Sequence, residues 1–163
     1  MLKKSKKVIH IGSDHAGYKM KNDFKEYLSK KYKVIDLGVF NEQSADYPDI
    51  AREVAEKVAE RRGARGILIC GTGIGMAMAA NKVRGVRAAD CTSVEMAEMA
   101  RRHNDANILA LGARLLPSDL AKKITDKFLT TDFEKKEERH VRRVEKMEAI
   151  YDLSKKKKGI LLS

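Results

Sequence analysis

The chain has 163 residues, 43% of them hydrophobic, which is enough for one compact domain with an apolar core. Its net charge is +11, but eight of the 34 basic residues lie in lysine clusters at 1–7 and 155–158. The remainder carries 26 basic residues against 23 acidic ones, so we expect solvated basic ends and no specific nucleic-acid partner. No apolar run approaches the roughly 20 residues that span a bilayer, and no secretory pattern follows the basic N-terminus. We therefore expect a cytoplasmic protein without a membrane partner.

Short apolar runs ending near glycine predict five strands, and apolar residues at helical spacing predict helices between them. The predicted strands are residues 8–11, 34–37, 66–70, 85–89 and 108–111. The predicted helices are 18–30, 48–62, one from the glycine turn at 71–75 to Val83, one from Ser93 through 101–102, one from Ser118, and one over 137–153.

The alternation of strands and helices predicts the fold class. Strands that are continuously apolar are covered on both faces, which favours a three-layer α/β/α sandwich on a five-stranded parallel sheet, Rossmann-like, plus a C-terminal helix. We expect a single domain over 1–150 and a basic tail over 151–163. Ligands of such folds bind beyond the carboxyl ends of the strands, so functional residues are expected in the segments that follow them.

Two of these segments carry reactive side chains. Residues 12–17 place Asp14 beside His15, although Asp14 in such a turn equally suits a helix cap. Cys70 is the last residue of the strongest strand, and three glycines follow it before a helix. The helix N-terminus would favour a thiolate there; the alternative is an inert core cysteine. The glycine spacing matches no nucleotide-binding motif.

Two further motifs are ambiguous on their own. His103 and Asn104 stand at a predicted helix end, where a simple C-cap would explain them. Arg139 and Arg143 are four residues apart on one helical face and could grip one phosphate, but a solvated charged face explains them equally well. We assign structural roles to three remaining candidates, namely His10, Cys91 and His140.

Taken together, the motifs resemble the ribose-5-phosphate isomerase type B family and its relatives, the galactose-6-phosphate and allose-phosphate isomerases. The resemblance covers about residues 8 to 150. Its motifs are GSDHAG at 12–17, DYP at 46–48, ILICGTGIG at 67–75, AANKVRGVRA at 79–88, RRHNDAN at 101–107, LGAR at 111–114 and RHVRRVEKM at 139–147.

The resemblance implies an aldose–ketose isomerase that interconverts ribose 5-phosphate and ribulose 5-phosphate through an enediolate, with no cofactor and no metal. It implies Cys70 as the base, Thr72 with the loop amides as oxygen stabilisers, and His103 with Asp14 for ring opening. The substrate-binding residues implied are His15, Tyr47, Gly71, Gly73, Gly75, Asn104, Arg114, Arg139 and Arg143.

Within the family that the motifs resemble, one branch has serine at the cysteine position and a glutamate shortly after it; with Cys70 and Met76 this chain resembles the cysteine branch. The chain departs from the family at 137–138, where two glutamates replace a common glycine pair. The resemblance also implies a homodimer or tetramer with active sites at the subunit interface.

Three alternatives to ribose 5-phosphate isomerisation stay open at this point. One is isomerisation of a six-carbon sugar phosphate, allose 6-phosphate or galactose 6-phosphate. Another is a non-catalytic sugar-phosphate-binding module. The last is a polyanion-binding protein that uses the lysine clusters.

Overall fold

The computed structural model describes residues 6–160, with side chains described through Tyr151. The strands are β1 (Val8–Ser13), β2 (Lys33–Asp36), β3 (Arg65–Cys70), β4 (Ala88–Asp90) and β5 (Ile108–Gly112). The helices are α1 (Tyr18–Ser29), α2 (Tyr47–Ala59), α3 (Ile74–Ala80), α4 (Val94–Asn104), α5 (Ser118–Thr130) and α6 (Glu138–Ile160). All strand pairs are parallel, in the order β2-β1-β3-β5-β4, which confirms the predicted sheet.

Helices cover both faces of the sheet because successive strand residues point to opposite sides. On β3, Ile67 and Ile69 pack with α1, α4 and α5 in one core cluster. Leu68 and Cys70 pack with α2 and α3 in the other. Cys70 is therefore placed on the α2–α3 side by the alternation of the strand itself.

The fourth strand differs from its prediction of 85–89, because β4 is Ala88–Asp90 only. Gly85 has φ +79°, and the amide of Val86 donates to the carbonyl of Val83, so a turn occupies the start of the predicted strand. The amide of Arg87 then donates to the side-chain oxygen of Asn107 at 2.8 Å rather than to a neighbouring strand. Regular pairing begins one residue later, at Ala88.

The last helix is longer than predicted, since α6 continues through residue 151 to Ile160. Residues 1–5, with Lys3 and Lys4 of the N-terminal cluster, and residues 161–163 lie outside the described part of the chain. Of the helices within the described range, none has the length and apolar character needed to cross a bilayer.

A buried ion pair fixes the chain that follows β2. Lys21 is fully buried, and its ammonium donates to Asp36 at 2.7 Å and to the carbonyl of Val39 at 2.6 Å. Lys25 contacts the second oxygen of Asp36 at 2.6 Å. Burial alone raises the pKa of Asp36, but hydrogen bonds from Lys21, from Lys25 and from the amide of Gly38 together lower it below the ordinary value.

Asp36→Asn should destabilise the fold by about 3 kcal/mol, because it leaves the buried ammonium of Lys21 without a counter-charge. Urea unfolding at neutral pH measures this change. The matched control is Asp23→Asn on the exposed side of α1, which removes the same charge without touching Lys21. Equal stability of the two variants would contradict the role of Asp36 as the counter-charge of Lys21.

The same ion pair predicts a pH dependence. The folded-state pKa of Asp36 lies below its unfolded value, so the carboxylate stabilises the fold above the unfolded pKa of about 3.9. That stabilisation is lost as the pH falls through the folded value. The unfolding free energy of the wild type should therefore fall more steeply than that of Asp36→Asn as the pH drops below about 4.

Candidate active site

The thiol of Cys70 lies at the carboxyl edge of the sheet, where β3 ends. Its side chain is buried, with only 4% of the residue exposed. The amide of Gly73 donates a hydrogen bond to the sulfur at 3.1 Å. Gly73 has φ +85°, and this conformation turns the loop sharply enough to aim the amide back at the strand end. Thr72, between them, is exposed on the outside of the loop.

Close backbone contacts set the shape of the loop. A Cβ on Gly73 would lie 2.3 Å from a carboxylate oxygen of Asp90, at the end of β4. A Cβ on Gly112 would lie 2.7 Å from the carbonyl oxygen of Thr72. The glycines at these positions therefore allow the loop to rest directly against the ends of β4 and β5.

The carboxylate of Asp14 lies in the neighbouring turn and is also buried. It accepts a hydrogen bond from the amide of Gly17 at 3.0 Å, which closes the turn before α1; the N-cap of α1 is Gly17 itself, so Asp14 is not the helix cap. The amide of Asp14 donates to the carbonyl of Ile69 at 3.2 Å, which ties this turn to β3 one residue before the thiol. A Cβ on Gly17 would lie 2.3 Å from the same carbonyl oxygen.

Three more predicted residues surround the loop. Tyr47 places its ring over Gly75, where a Cβ would lie 2.7 Å from the ring. Arg114 lies over Gly71, where a Cβ would lie 3.3 Å from a guanidinium nitrogen. His15 accepts a hydrogen bond from the amide of Ala45 through Nδ1 at 3.4 Å. The side chains of Tyr47 and Arg114 are exposed, whereas His15 is partly covered.

The other predicted residues lie at the opposite, amino edge of the sheet. His103 and Asn104 end α4, and β5 begins only at Ile108, paired with Gly66 at the start of β3. Strands of five or six residues separate the two edges by roughly 15–20 Å. A single chain therefore brings eight of the other predicted residues together with Cys70 and places four elsewhere, namely His103, Asn104, Arg139 and Arg143.

At the amino edge, His103 belongs to a cluster that its motif did not reveal. Its ring lies 4.3 Å from that of His140, centroid to centroid. Glu134 contacts both rings through Oε2, at 3.2 Å from Nδ1 of His140 and 3.9 Å from Nε2 of His103. Arg102 donates to the other oxygen of Glu134 at 2.7 Å. Its hydrogen bond is the main reason that the pKa of Glu134 is lowered, so the carboxylate stays charged beside the two rings.

The residues missed by sequence reasoning are thus Glu134 and His140, the latter assigned a structural role. Together with His103 they place three donor atoms within 4.8 Å of one another, a set that could hold a divalent metal. The guanidinium of Arg102 on Glu134 opposes a cation at that point. The same contacts equally serve to orient the ring of His103.

Arg139 and Arg143 lie in the first turns of α6, and both are exposed. Glu137, in the segment that departs from the family pattern, lies 3.5 Å from the guanidinium of Arg139. Exposed ion pairs of this kind are worth about 0–1 kcal/mol, so a phosphate group could replace Glu137 at little cost.

The second cysteine is a contrasting case. Cys91 is buried, with 1% of the residue exposed. Burial, with a contribution from the charge of Asp90, raises its pKa to about 12. Both cysteines are free thiols. Cys91 is therefore held in the inert thiol form, which fits the structural role expected for it.

The fold and this edge define a class: a parallel α/β protein whose site lies at the strand ends, with a thiol on a glycine loop and cationic groups suited to an anionic ligand. Comparison with known proteins narrows the class. The Ribose/Galactose Isomerase family matches residues 9–147. The chain belongs to this family.

Individual relatives are similar to this chain in sequence and in structure over most of its length. Ribose-5-phosphate isomerase B of Escherichia coli is 42% identical over 145 residues, covering 88% of this chain and 96% of that protein. The structure of ribose-5-phosphate isomerase B from Clostridium thermocellum superposes with a TM-score of 0.87 at 49% identity, covering 90% and 99% of the two chains. The structure of ribose-5-phosphate isomerase B from Mycoplasma genitalium with bound ribulose-5-phosphate superposes with a TM-score of 0.86 at 42% identity, covering 91% of this chain and 99% of that chain.

Gly73→Ala should destabilise the protein by at least about 2 kcal/mol, since it combines a left-handed φ with overlap against Asp90. It should also lower turnover, because the amide that faces Cys70 must move. Urea unfolding and an activity assay measure the two effects. Gly85→Ala is the control: it has a similar φ of +79° with nothing within 4 Å of the new Cβ, so about 1 kcal/mol is expected. Identical losses in both variants would refute the role of loop packing.

Proposed function

We propose that this protein is an aldose–ketose isomerase that interconverts ribose 5-phosphate and ribulose 5-phosphate. The observation that carries the proposal is the sulfur of Cys70, held at the carboxyl edge of the sheet with the Gly73 amide on it. Family membership supports the same reaction, as does a 42% identical neighbour of known structure that carries ribulose-5-phosphate.

The reaction needs one base that moves a proton between C2 and C1. The thiolate of Cys70 takes the proton from C2 of the open-chain aldose, and the C2 electron pair forms the C1–C2 double bond of the enediolate. Thr72 and the amides of the glycine loop stabilise the oxygen that gains charge, each good donor contributing about 3 kcal/mol. Cys70 returns the proton to C1 as the carbonyl forms at C2, while the proton on O2 moves to O1. Atoms and electrons balance without a cofactor.

The substrate must first open its furanose ring, and its phosphate must be held. We assign ring opening to Asp14 and His103 and the phosphate to His15, Arg114, Arg139 and Arg143. In the described structure these groups are divided between the two edges of the sheet. A complete site therefore needs a second copy of the chain, whose amino edge supplies His103, Asn104 and the two arginines of α6.

A two-fold dimer satisfies this requirement, because each carboxyl edge then meets the partner's amino edge and two equal sites form. Exposed apolar side chains on three helices support an interface, namely Met78 on α3, Met96 and Met99 on α4, and Met147 and Ile150 on α6. The free thiols suit a reducing cytoplasm, where we place the enzyme.

Cys70→Ala should lower turnover of ribose 5-phosphate by several orders of magnitude while leaving its binding nearly unchanged, since only proton transfer is lost. A coupled assay for ribulose 5-phosphate and calorimetric titration with ribose 5-phosphate measure the two quantities. Cys91→Ala is the matched control and should keep the activity of the folded wild type. Binding by wild type without turnover would instead favour a sugar-phosphate-binding module.

The same assay decides the substrate class. Faster turnover of allose 6-phosphate or galactose 6-phosphate than of ribose 5-phosphate would move the proposal to a six-carbon substrate. Removal of residues 1–6 and 155–163 should barely change isomerisation. A function that disappears with these lysine clusters would favour the polyanion-binding alternative.

Mixing two inactive variants tests the shared site. Cys70→Ala and His103→Ala should each be inactive alone, but their mixed dimer contains one site with both intact residues. After subunit exchange, an equimolar mixture should regain up to about a quarter of wild-type activity. Each variant incubated alone is the control. A mixture that stays inactive, although mass spectrometry detects mixed dimers, would place the whole site in one chain.

A further inference from the structure

A cationic cavity lies at the amino edge of the sheet, and the proposed reaction does not use it. This amino-edge cavity has a volume of about 650 Å³, within the range of small-molecule sites. It lies among the end of α2, the turn at 61–64, the first residue of β3, the segments that precede β4 and β5, and the segment that follows α5. Six cationic side chains line it: Arg61, Arg62, Arg65, Arg87, Arg101 and Lys135.

Carboxylates neutralise only part of this charge. Among the described residues of the lining, Asp105 and Asp132 are the acidic ones, so cations exceed acids there by four. Asp105 is shared, with one oxygen 2.8 Å from Arg101 and the other 3.1 Å from Arg87. Those two arginines are therefore satisfied, and the excess lies on the turn at 61–64, on Arg65 and on Lys135.

Arg65 differs from the arginines of the turn because it is partly buried. Within the part of the chain that the structure describes, its guanidinium makes one hydrogen bond, to the carbonyl of Ala64 at 3.0 Å, and no ion pair. Burial lowers its pKa; the charge of Arg101, and to a smaller extent that of Arg87, lower it further, while the charges of Asp105 and Asp132 raise it. A partly buried guanidinium that no carboxylate contacts is costly unless an anion completes its hydrogen bonds.

The shape of the region suits an extended anion. Gly63 and Gly85 line the amino-edge cavity, and both face open space, with nothing within 4 Å of a Cβ at either position. A smaller cavity of about 360 Å³ adjoins it, shares residues 61–65 and adds Lys6 and Lys7. Cations thus follow a groove on both sides of Arg65.

We propose that the amino-edge cavity binds a small anion that carries two or more linked phosphate groups. A single phosphate would meet only part of a lining that holds six cations, whereas linked phosphates span the groove from Arg65 towards Lys135 or Lys6. A concave cavity of this volume favours a small molecule over a nucleic-acid strand, which needs an open track with aromatic side chains. The proposal stands independently of the isomerase reaction, because the cavity contains no residue assigned to it.

The test is calorimetric titration of the full-length protein with inorganic pyrophosphate and with triphosphate at fixed ionic strength. We expect saturable binding at one site per chain, with sulfate at least tenfold weaker. Arg65→Gln and Arg62→Gln should each weaken binding about tenfold, because each removes a charge-assisted hydrogen bond. Arg52→Gln on α2, which removes an exposed charge outside the cavity, should bind as wild type does.

Arg143→Ala separates this cavity from the proposed substrate site. If that variant loses pyrophosphate binding and the Arg65 and Arg62 variants keep it, the anion occupies the substrate site and the proposal is wrong. The proposal is also wrong if the wild type shows no saturable binding of pyrophosphate or triphosphate, or if it binds an oligonucleotide alone.

Circular dichroism melting checks the fold of Arg65→Gln, and the exposed Arg62 provides a variant with little structural risk. Loss of isomerase activity in Cys70→Ala with intact pyrophosphate binding leaves this proposal standing.

Discussion

The common direction of the five strands is the constraint on which the rest of this structure depends. In a parallel sheet every segment that follows a strand returns at the carboxyl edge, and every segment that precedes one lies at the amino edge. Cys70 ends β3, and Asp14 and Arg114 follow β1 and β5, whereas His103 and Asn104 precede β5. The separation of the candidate site into two groups is therefore a property of the topology and needs no particular loop conformation.

At the carboxyl edge, the positions of the reactive groups depend on interactions well outside the site. Lys21 holds the carbonyl of Val39, whose amide donates to Ser13, and the amide of Ser13 donates to Gly38. Ser13 directly precedes Asp14. The buried ammonium thus extends the ordered chain beyond β2 and clamps it to the end of β1. Asp36 offsets the free-energy cost of burying the ammonium of Lys21. The resulting contacts hold the carboxylate of Asp14 beside β3.

Much of the fold could be predicted because apolar runs that end in glycine mark buried strands, as 66–70 does. The start of the fourth strand could not be predicted, because it depends on the side chain of Asn107, which is remote in sequence. The position of Cys70 followed from the strand end and the glycine loop, whereas Tyr47 and Arg114 were predicted only through the family resemblance. Glu134 gave no signal, because it is one acid in a charged run and its role arises only when Arg102, His103 and His140 meet it. The division between edges was predictable in principle, since a helix end before a strand lies at the amino edge.

On the proposed arrangement, the topology also couples catalysis to assembly. A group that lies roughly 15–20 Å from the thiol across the sheet cannot take part in the same site without unfolding a strand, so only another chain can supply it. The affinity between two copies of the chain then determines how many complete sites form. A ligand that contacts the carboxyl edge of one copy and the amino edge of the other stabilises the assembly by mass action. The buried Arg101 supports this use of the amino edge: its bonds to Asp105 and to the carbonyl of Thr131 join the end of α4 to the end of α5. Such a rigid support presents His103 and the first turns of α6 as one preformed surface, so little ordering entropy opposes the meeting of the two halves.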